Sequence, residues 1–233
     1  MVDLTTEMAG LWAALGPTPG HRGRVLQFVA ATHGEGTSTV AREFARLAAV
    51  RARKPVWLVD ADLTAQHQLE AVAAQPERFG QLDKAAYASP DGSCFFTVSP
   101  RLTARDGRPV PPARLLLAQP CLGGRLWVTR LRAQALRSGQ RIEALPDARY
   151  WDAMRRHAET VVVDAPSLDR SDLAITLAPY VDATVLVVAA ETTRAADPVA
   201  LRDEIEAVGG HIAGVVMNRS TYRPPRFLEK VLG

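Results

Sequence analysis

The stretch FVAATHGEGTSTVAREFARLAA, residues 28–49, decides the fold. An apolar segment leads into a loop with two glycines and then into an amphipathic pattern, which is the strand, loop and helix order of a phosphate-binding loop. Gly34 and Gly36 allow the backbone to curl so that successive N–H groups face one anion, and the start of the following helix adds partial positive charge. Ser38 offers the hydroxyl that holds magnesium in such loops, although Ser38 or Thr39 could instead simply cap the helix.

Short apolar runs rich in β-branched residues alternate with helical patterns along the chain. The runs lie at 24–32, 54–62, 125–131, 159–167, 182–192 and 211–220, and the helical patterns at 38–52, 147–158, 171–180 and 196–208. Continuous apolar runs of this length suit strands that are buried on both faces. The sequence therefore predicts an α/β fold with a doubly wound, mostly parallel sheet, helices on both faces and a ligand site at the carboxyl ends of the strands.

The chain of 233 residues is long enough for one substantial core, so we expect a single domain over 1–233. Hydrophobic residues make up 47% and charged residues 23%, which is typical of a folded globular protein. Residues 80–124 concentrate proline, glycine and arginine. We interpret them as an irregular insertion with at most short elements such as CFFTV.

Composition also limits where the protein works and what it binds. No run approaches the roughly 18 apolar residues that a membrane helix needs, and the N-terminus lacks the basic start of a signal peptide, so we expect a cytoplasmic protein. Cys94 and Cys121 show no metal-like spacing, which predicts neither zinc nor a disulfide. Residues 101–141 hold nine arginines and one aspartate, a net charge of +8. They form either a solvated loop or a surface for an acidic partner, anionic lipid or polyanion.

Aspartates follow two of the predicted strands. Asp60 and Asp62 end WLVDAD, and Asp164 ends the apolar part of VVVDAPS. If both strands flank the loop strand, the three carboxylates converge beside the glycine loop, where they would repel one another without a cation between them. A single such aspartate would be an ordinary turn or cap residue, but three predict a magnesium and nucleotide site.

Four motifs together resemble one family. The loop GEGTST is similar to GEGKST, WLVDAD and VVVDAP match two strand motifs, and GVVMNRS resembles the G-x-V-x-N ending that carries Asn218. The chain resembles the cytoplasmic ATPase domain of bacterial tyrosine kinases and their relatives in exopolysaccharide and capsule biosynthesis, which share a P-loop superfamily with partitioning and division-site-selection ATPases. The resemblance covers residues 24–62 and 145–220. Asn218 would lie beside the base, or would be a polar turn residue after its strand.

The resemblance implies ATP or ADP with Mg²⁺ as ligands and assigns roles to residues of this chain. The nucleotide-binding set is Gly34, Glu35, Gly36, Thr37, Ser38, Thr39 and Asn218; the catalytic pair is Asp60 and Asp62; the metal ligands are Ser38, Asp62 and Asp164. The implied partner is a membrane polysaccharide co-polymerase or export protein, which would hold the chain at the inner membrane. A homo-oligomer is possible within such a family, and no nucleic-acid partner is expected.

The chain departs from the family pattern at three places. Thr37 stands where the family loop carries lysine, and neither Thr32 nor His33 supplies a replacement. The tail STYRPPRFLEKVLG holds only Tyr222, whereas the kinases end in several tyrosines that are their own substrate, and TTEMAGLWAALG does not match their ring-forming helix. Loss of one such charge from a phosphoryl-transfer site costs roughly a hundredfold or more in rate, while binding through amides and magnesium survives better.

These departures favour a degenerate relative that binds nucleotide weakly or structurally and regulates exopolysaccharide production by docking on a membrane partner. Enzymatic activity stays open, because an active Mg-ATP-dependent tyrosine kinase or ATPase could use magnesium and a partner's arginine. A positioning ATPase that forms nucleotide-dependent dimers is the third reading, and the missing loop lysine argues against it. Arg42 could fold back toward the loop but is expected to be an exposed helical residue, and Lys54 should lie at the opposite edge of the sheet.

Overall fold

The computed structural model describes residues 4–16, 18, 22–104 and 106–219. The strands are β1 Arg24–Val29, β2 Val56–Asp60, β3 Ala86–Tyr87, β4 Phe96–Ser99, β5 Leu116–Cys121, β6 Leu126–Leu131, β7 Arg141–Ala144, β8 Thr160–Asp164, β9 Ala183–Ala189 and β10 Ile212–Asn218. The α-helices are α1 Thr5–Ala14, α2 Thr37–Arg51, α3 Gln68–Ala73, α4 Pro76–Phe79, α5 Ala148–His157, α6 Leu173–Leu177 and α7 Ala196–Ala207. Short 3₁₀ turns cover Pro112–Leu115, Ala133–Ala135 and Ala178–Tyr180.

Eight strands form one sheet in the order β10, β9, β1, β8, β2, β6, β5, β3. The six strands from β10 to β6 run parallel, while β5 and β3 are antiparallel additions at one edge. All six predicted strands and all four predicted helical segments are present. Most are shorter than the sequence patterns indicated, whereas α2 keeps the predicted length and begins one residue earlier. The predicted α/β class with a mostly parallel sheet is confirmed.

The sheet is covered on both faces because successive strand residues point to opposite sides. On one face Leu26, Leu58 and Val162 pack with Phe44 of α2 and Met8 of α1. On the other face Val25, Val59 and Val161 pack with residues of α5 and α6, among them Trp151 and Leu177. The central strands β1, β2, β8 and β9 are buried along their whole length, which explains why their sequences read as continuous apolar runs.

Two expectations about the sheet need correction. The strand that ends at Asp60 does not flank the loop strand, because β8 lies between β1 and β2. Residues 80–124 are also more regular than expected, since β5 and β3 extend the main sheet and β4 pairs with β7 in a separate two-stranded sheet. Alternation of buried and partly exposed residues in β5 hid this strand within a proline-rich segment.

Several further expectations concern the remainder of the chain. Among the described residues, no helix is long and apolar enough to cross a membrane. Cys94 and Cys121 are both free and buried. The tail with Tyr222 lies outside the described residues.

Candidate functional site

The phosphate loop, residues 33–39, joins β1 to the first turn of α2 and leaves several of its amides unbonded. Gly34 and Gly36 have φ angles of 88° and 93°, which only glycine adopts without strain. The amides of Gly34, Gly36, Thr37 and Ser38 donate no hydrogen bond to any group in the described part of the chain. Together with the N-terminus of a 15-residue helix, they form a concave set of donors that suits an anion.

Asn218 at the end of β10 holds the loop from behind. Its Nδ2 donates to the carbonyl oxygen of Glu35 at 2.7 Å. A Cβ added at Gly36 would lie 2.1 Å from the same nitrogen, so this position has room for glycine alone. Glu35 is buried and its carboxylate accepts a hydrogen bond from the Thr193 hydroxyl. Burial raises the pKa of Glu35, and the bond from Thr193 opposes that rise. Glu35 and Asn218 therefore shape the loop in this structure.

A cavity of about 220 Å³ opens above the loop. Its walls include Thr37, Ser38 and Thr39 from the start of α2, the three aspartates at the ends of β2 and β8, and two arginines. The residues that line this loop cavity are Thr32, His33, Gly34, Gly36, Thr37, Ser38, Thr39, Asp60, Asp62, Ala65, His67, Asp164, Ala165, Pro166, Ser167, Arg170 and Arg219. The structure thus brings together every predicted site residue except Glu35 and Asn218, which support the loop from behind.

Asp60 and Asp164 face each other across neighbouring strands, where they are register partners. Both are buried, so desolvation disfavours their charged forms. Burial first, and then the charge of Asp164, raise the pKa of Asp60 to about 8. Burial raises the pKa of Asp164 to about 6, against the opposing effect of the Gln68 and Ser38 side chains. At neutral pH the pair therefore carries less negative charge than two exposed carboxylates would.

Asp60 also has a structural task. Its Oδ2 accepts hydrogen bonds from the amides of His67 and Gln68, each at 3.0 Å, and so caps the start of α3. Asp164 is bound on one side only: its Oδ2 accepts from Gln68 Nε2 at 2.6 Å, while its buried Oδ1 has no hydrogen-bond partner among the described residues. An unpaired buried carboxylate oxygen beside a phosphate loop is a candidate ligand for a cation.

Gln68 and Arg42 belong to the site, and sequence reasoning missed this role for both. Gln68 is buried and donates to Asp164 and to the Ser38 carbonyl oxygen at 2.8 Å. Arg42 donates to Gln68 Oε1 at 3.1 Å, so it is half-buried rather than the exposed helical residue that was expected. No sequence signal marked Gln68, because its place depends on how α3 packs against β6 and brings this side chain to the end of β8. Lys54 precedes β2 and is exposed at the other end of that strand.

Asp62 lies just beyond β2 and is fully engaged. Its Oδ1 accepts from the Thr64 amide, the Thr64 hydroxyl and the Ala65 amide at 3.2, 2.8 and 2.9 Å. Its Oδ2 forms an ion pair with Arg170 Nη1 at 2.6 Å. As a metal ligand, Asp62 would have to exchange this arginine for the cation.

The residues fit a magnesium–nucleotide complex better than a bare metal ion. No three side chains of histidine, cysteine, aspartate or glutamate in the described ranges cluster as a metal site of their own. Mg²⁺ beside phosphates needs only one or two carboxylates, because phosphates and waters supply its other ligands. The unpaired Asp164 Oδ1, the Ser38 side chain in the cavity wall and the free loop amides meet that requirement.

Comparison with known proteins agrees with this architecture. Neither a protein-family model nor a curated protein sequence matches the chain. Among solved structures, the kinase domain of VpsO is 19% identical over 85% of this chain and 86% of its own, with a TM-score of 0.55. The kinase domain of Escherichia coli tyrosine kinase ETK is 13% identical over 94% of this chain and 73% of its own, with a TM-score of 0.55. The Pyrococcus furiosus cell division ATPase MinD is 19% identical over 90% of this chain and 79% of its own, with a TM-score of 0.56.

At these identities the similarity establishes the fold. The chain shares its α/β fold with the kinase domains of VpsO and ETK and with the cell division ATPase MinD, as the resemblance of the sequence motifs predicted.

Proposed function

We propose that this protein is a degenerate member of the kinase-like P-loop group that binds a nucleotide with Mg²⁺ weakly and regulates exopolysaccharide biosynthesis or export. It would act in the cytoplasm, at the inner membrane, by docking on a membrane co-polymerase or export protein. The observation that carries the proposal is the phosphate loop itself, whose amides are free for an anion although Thr37 replaces the lysine.

The proposed binding roles follow from the contacts of this chain. Gly34, Gly36, Thr37 and Ser38 would hold the phosphates through their amides, and Thr39 would line the site beside them. Asp164 and the Ser38 hydroxyl would hold the magnesium ion, with Asp62 as a further ligand once it is released from its ion pair. Bound Mg²⁺ would neutralise phosphate charge.

Titration calorimetry with ATP and ADP, with and without magnesium, tests the nucleotide part of the proposal. We expect weak, magnesium-dependent binding by the native protein and tighter binding by Thr37→Lys, because the lysine adds a charge beside the phosphates. If neither protein bound either nucleotide, the proposed nucleotide site would be wrong.

The basic segment 101–141 is the proposed docking surface for the membrane partner. Arg105 lies outside the described residues, and the other eight arginines of this segment are exposed. In the described part of the chain, Arg108 is the one arginine of the segment that forms an ion pair, with Asp106. Unpaired exposed arginines favour association with an acidic surface.

Cellular polysaccharide output tests the docking part of the proposal. A docking module should tolerate Asp164→Ala, while replacement of the exposed arginines by glutamine should lower output. If Asp164→Ala abolished output in a folded protein and the arginine variant did not, the docking proposal would be refuted.

An active Mg-ATP-dependent kinase or ATPase is the second candidate, favoured by one observation. Asp60 has a pKa raised to about 8, mainly by burial, which puts its proton exchange near neutral pH where a general base works best. Phosphate release that disappears in Asp60→Asn, while ATP binding persists, would establish this function.

A further inference from the structure

The loop cavity holds cationic side chains that do not come from the phosphate loop. Among the described residues that line it, Arg170 and Arg219 carry permanent charge, and none is a lysine. Arg42 does not line the cavity, because its guanidinium donates to Gln68 and to the Ser38 carbonyl oxygen. The charge that Thr37 removes from the loop is therefore available from elsewhere in the fold.

Within the described residues, a single side-chain partner holds Arg170 at the cavity. It lies between β8 and α6, and its Nη1 is 2.6 Å from Asp62 Oδ2. A guanidinium has five N–H donors. In the part of the chain that the structure describes, this ion pair is the one hydrogen bond that the Arg170 side chain makes, so its other donors are available to a ligand.

The chemistry of the pair suggests an exchange of partners. A planar guanidinium binds phosphate through two parallel hydrogen bonds, and the terminal phosphate of a nucleoside triphosphate carries more negative charge than one carboxylate. Side-chain rotation of Arg170 within the shared cavity would release Asp62 Oδ2, an oxygen of the kind that Mg²⁺ takes as a ligand. Binding of phosphate and opening of a magnesium ligand would then be coupled.

We infer that Arg170 takes the place of the missing loop lysine and contacts the terminal phosphate of a bound nucleoside triphosphate, leaving Asp62 as it does so. This inference rests on the proposed nucleotide site and adds to it a residue that distinguishes triphosphate from diphosphate. The ion pair with Asp62 holds Arg170 at the cavity before the nucleotide arrives.

Comparative binding of ATP and ADP tests the inference. In titration calorimetry with magnesium, Arg170→Ala should weaken ATP binding about tenfold to a hundredfold, the usual worth of a hydrogen bond to a charged group. ADP lacks the terminal phosphate, so its affinity should change less than about threefold. If the alanine variant fails to fold, Arg170→Gln replaces it in the test. Glutamine keeps an N–H donor for Asp62 without the charge, and the variant should show the same selective loss of ATP binding. Arg51→Ala, an exposed arginine at the end of α2 that does not line the cavity, is the matched control.

A double variant separates replacement of the lysine from general electrostatics. If Arg170 serves the role of the lysine, Thr37→Lys should restore ATP binding to Arg170→Ala and should improve the native protein less. Equal weakening of ATP and ADP, no weakening, or selective weakening by Arg219→Ala instead would overturn the inference.

Failure of the inference is distinguishable from failure of the site. If Thr37→Lys bound nucleotide and the native protein did not, the proposed role of Arg170 would be wrong, while the loop would still be a phosphate-binding site. Binding by neither protein would remove the nucleotide site altogether.

Discussion

Replacement of Asp60 by asparagine should make the protein more stable at alkaline pH. Burial and the neighbouring charge of Asp164 raise the pKa of Asp60 to about 8 from an ordinary value of 3.8. Asparagine keeps the size of the side chain and an oxygen for the amides of His67 and Gln68, but it never ionises. The native protein must instead lose a proton from a desolvated site as the pH rises.

The sign and magnitude follow from proton linkage. Between pH 4 and pH 8 the folded protein keeps the Asp60 proton and the unfolded chain does not, so folding stability falls by about 1.36 kcal/mol per pH unit. From pH 5 to pH 8 this amounts to about 4 kcal/mol, a large share of the 5–15 kcal/mol that typically stabilises a domain. Asp60→Asn should match the native protein at pH 5 and exceed it by up to about 4 kcal/mol at pH 8.

Urea unfolding, followed by tryptophan fluorescence, measures the difference in free energy of unfolding between Asp60→Asn and the native protein. The measurements are made at pH 5, 6.5 and 8, with a chelator to exclude metal. Asp91→Asn is the control, because a hydrogen bond from Ser93 lowers the pKa of this exposed carboxyl and keeps it charged throughout. Its stability difference from the native protein should therefore not change with pH. A difference for Asp60→Asn that varied by less than about 1 kcal/mol across this range would refute the buried, protonated state of Asp60.

Three further outcomes follow from the same contacts. Gly36→Ala should lower the free energy of unfolding by about 2–3 kcal/mol, because alanine is strained at a φ of 93° and displaces Asn218. Gly123→Ala is the control: its φ is 63° and the space around it is open, so it should lower the free energy of unfolding by only about 1–2 kcal/mol. Thermal or urea unfolding measures both values. Gln68→Leu should destabilise the protein by about 1–3 kcal/mol, and by more at pH 8 than at pH 5. The pH dependence arises because loss of the hydrogen bond from Gln68 raises the pKa of Asp164 further. Urea unfolding at pH 5 and pH 8 measures the difference. The two cysteines should react with a thiol reagent only after unfolding, since burial raises the pKa of each to about 12, and a rapid reaction in the native protein would contradict this.

The central sheet and the loop were predictable because their determinants are local. A β-branched run such as that of β8 reports burial on both faces, and the glycines at 34 and 36 report the positive φ angles of the loop. The position of β2 in the sheet could not be predicted from its own sequence. Both strands end in aspartate, and only the order of strands in the folded sheet shows that β8 separates β2 from the loop strand.

The polar partners of the site were beyond sequence reasoning for a related reason. Gln68 lies 96 residues from Asp164, and Arg170 lies 108 residues from Asp62. Such pairs depend on where a loop or short helix packs over the sheet, which hydrophobic periodicity does not specify. Arg42 was expected to be exposed because its position on α2 alone gave no reason for burial, and its contact exists only because α3 brings Gln68 beside it.

The three aspartates of the cavity are each compensated within this chain without a loop lysine. Each aspartate is compensated differently: Asp60 by keeping its proton, Asp62 by Arg170, and Asp164 by Gln68 together with a raised pKa. These compensations are separate, and two of them depend on protonation of the carboxylate. At the proposed nucleotide site, magnesium would compete with protons for Asp164, so we expect the affinity for Mg-nucleotide to increase as the pH rises through about 6.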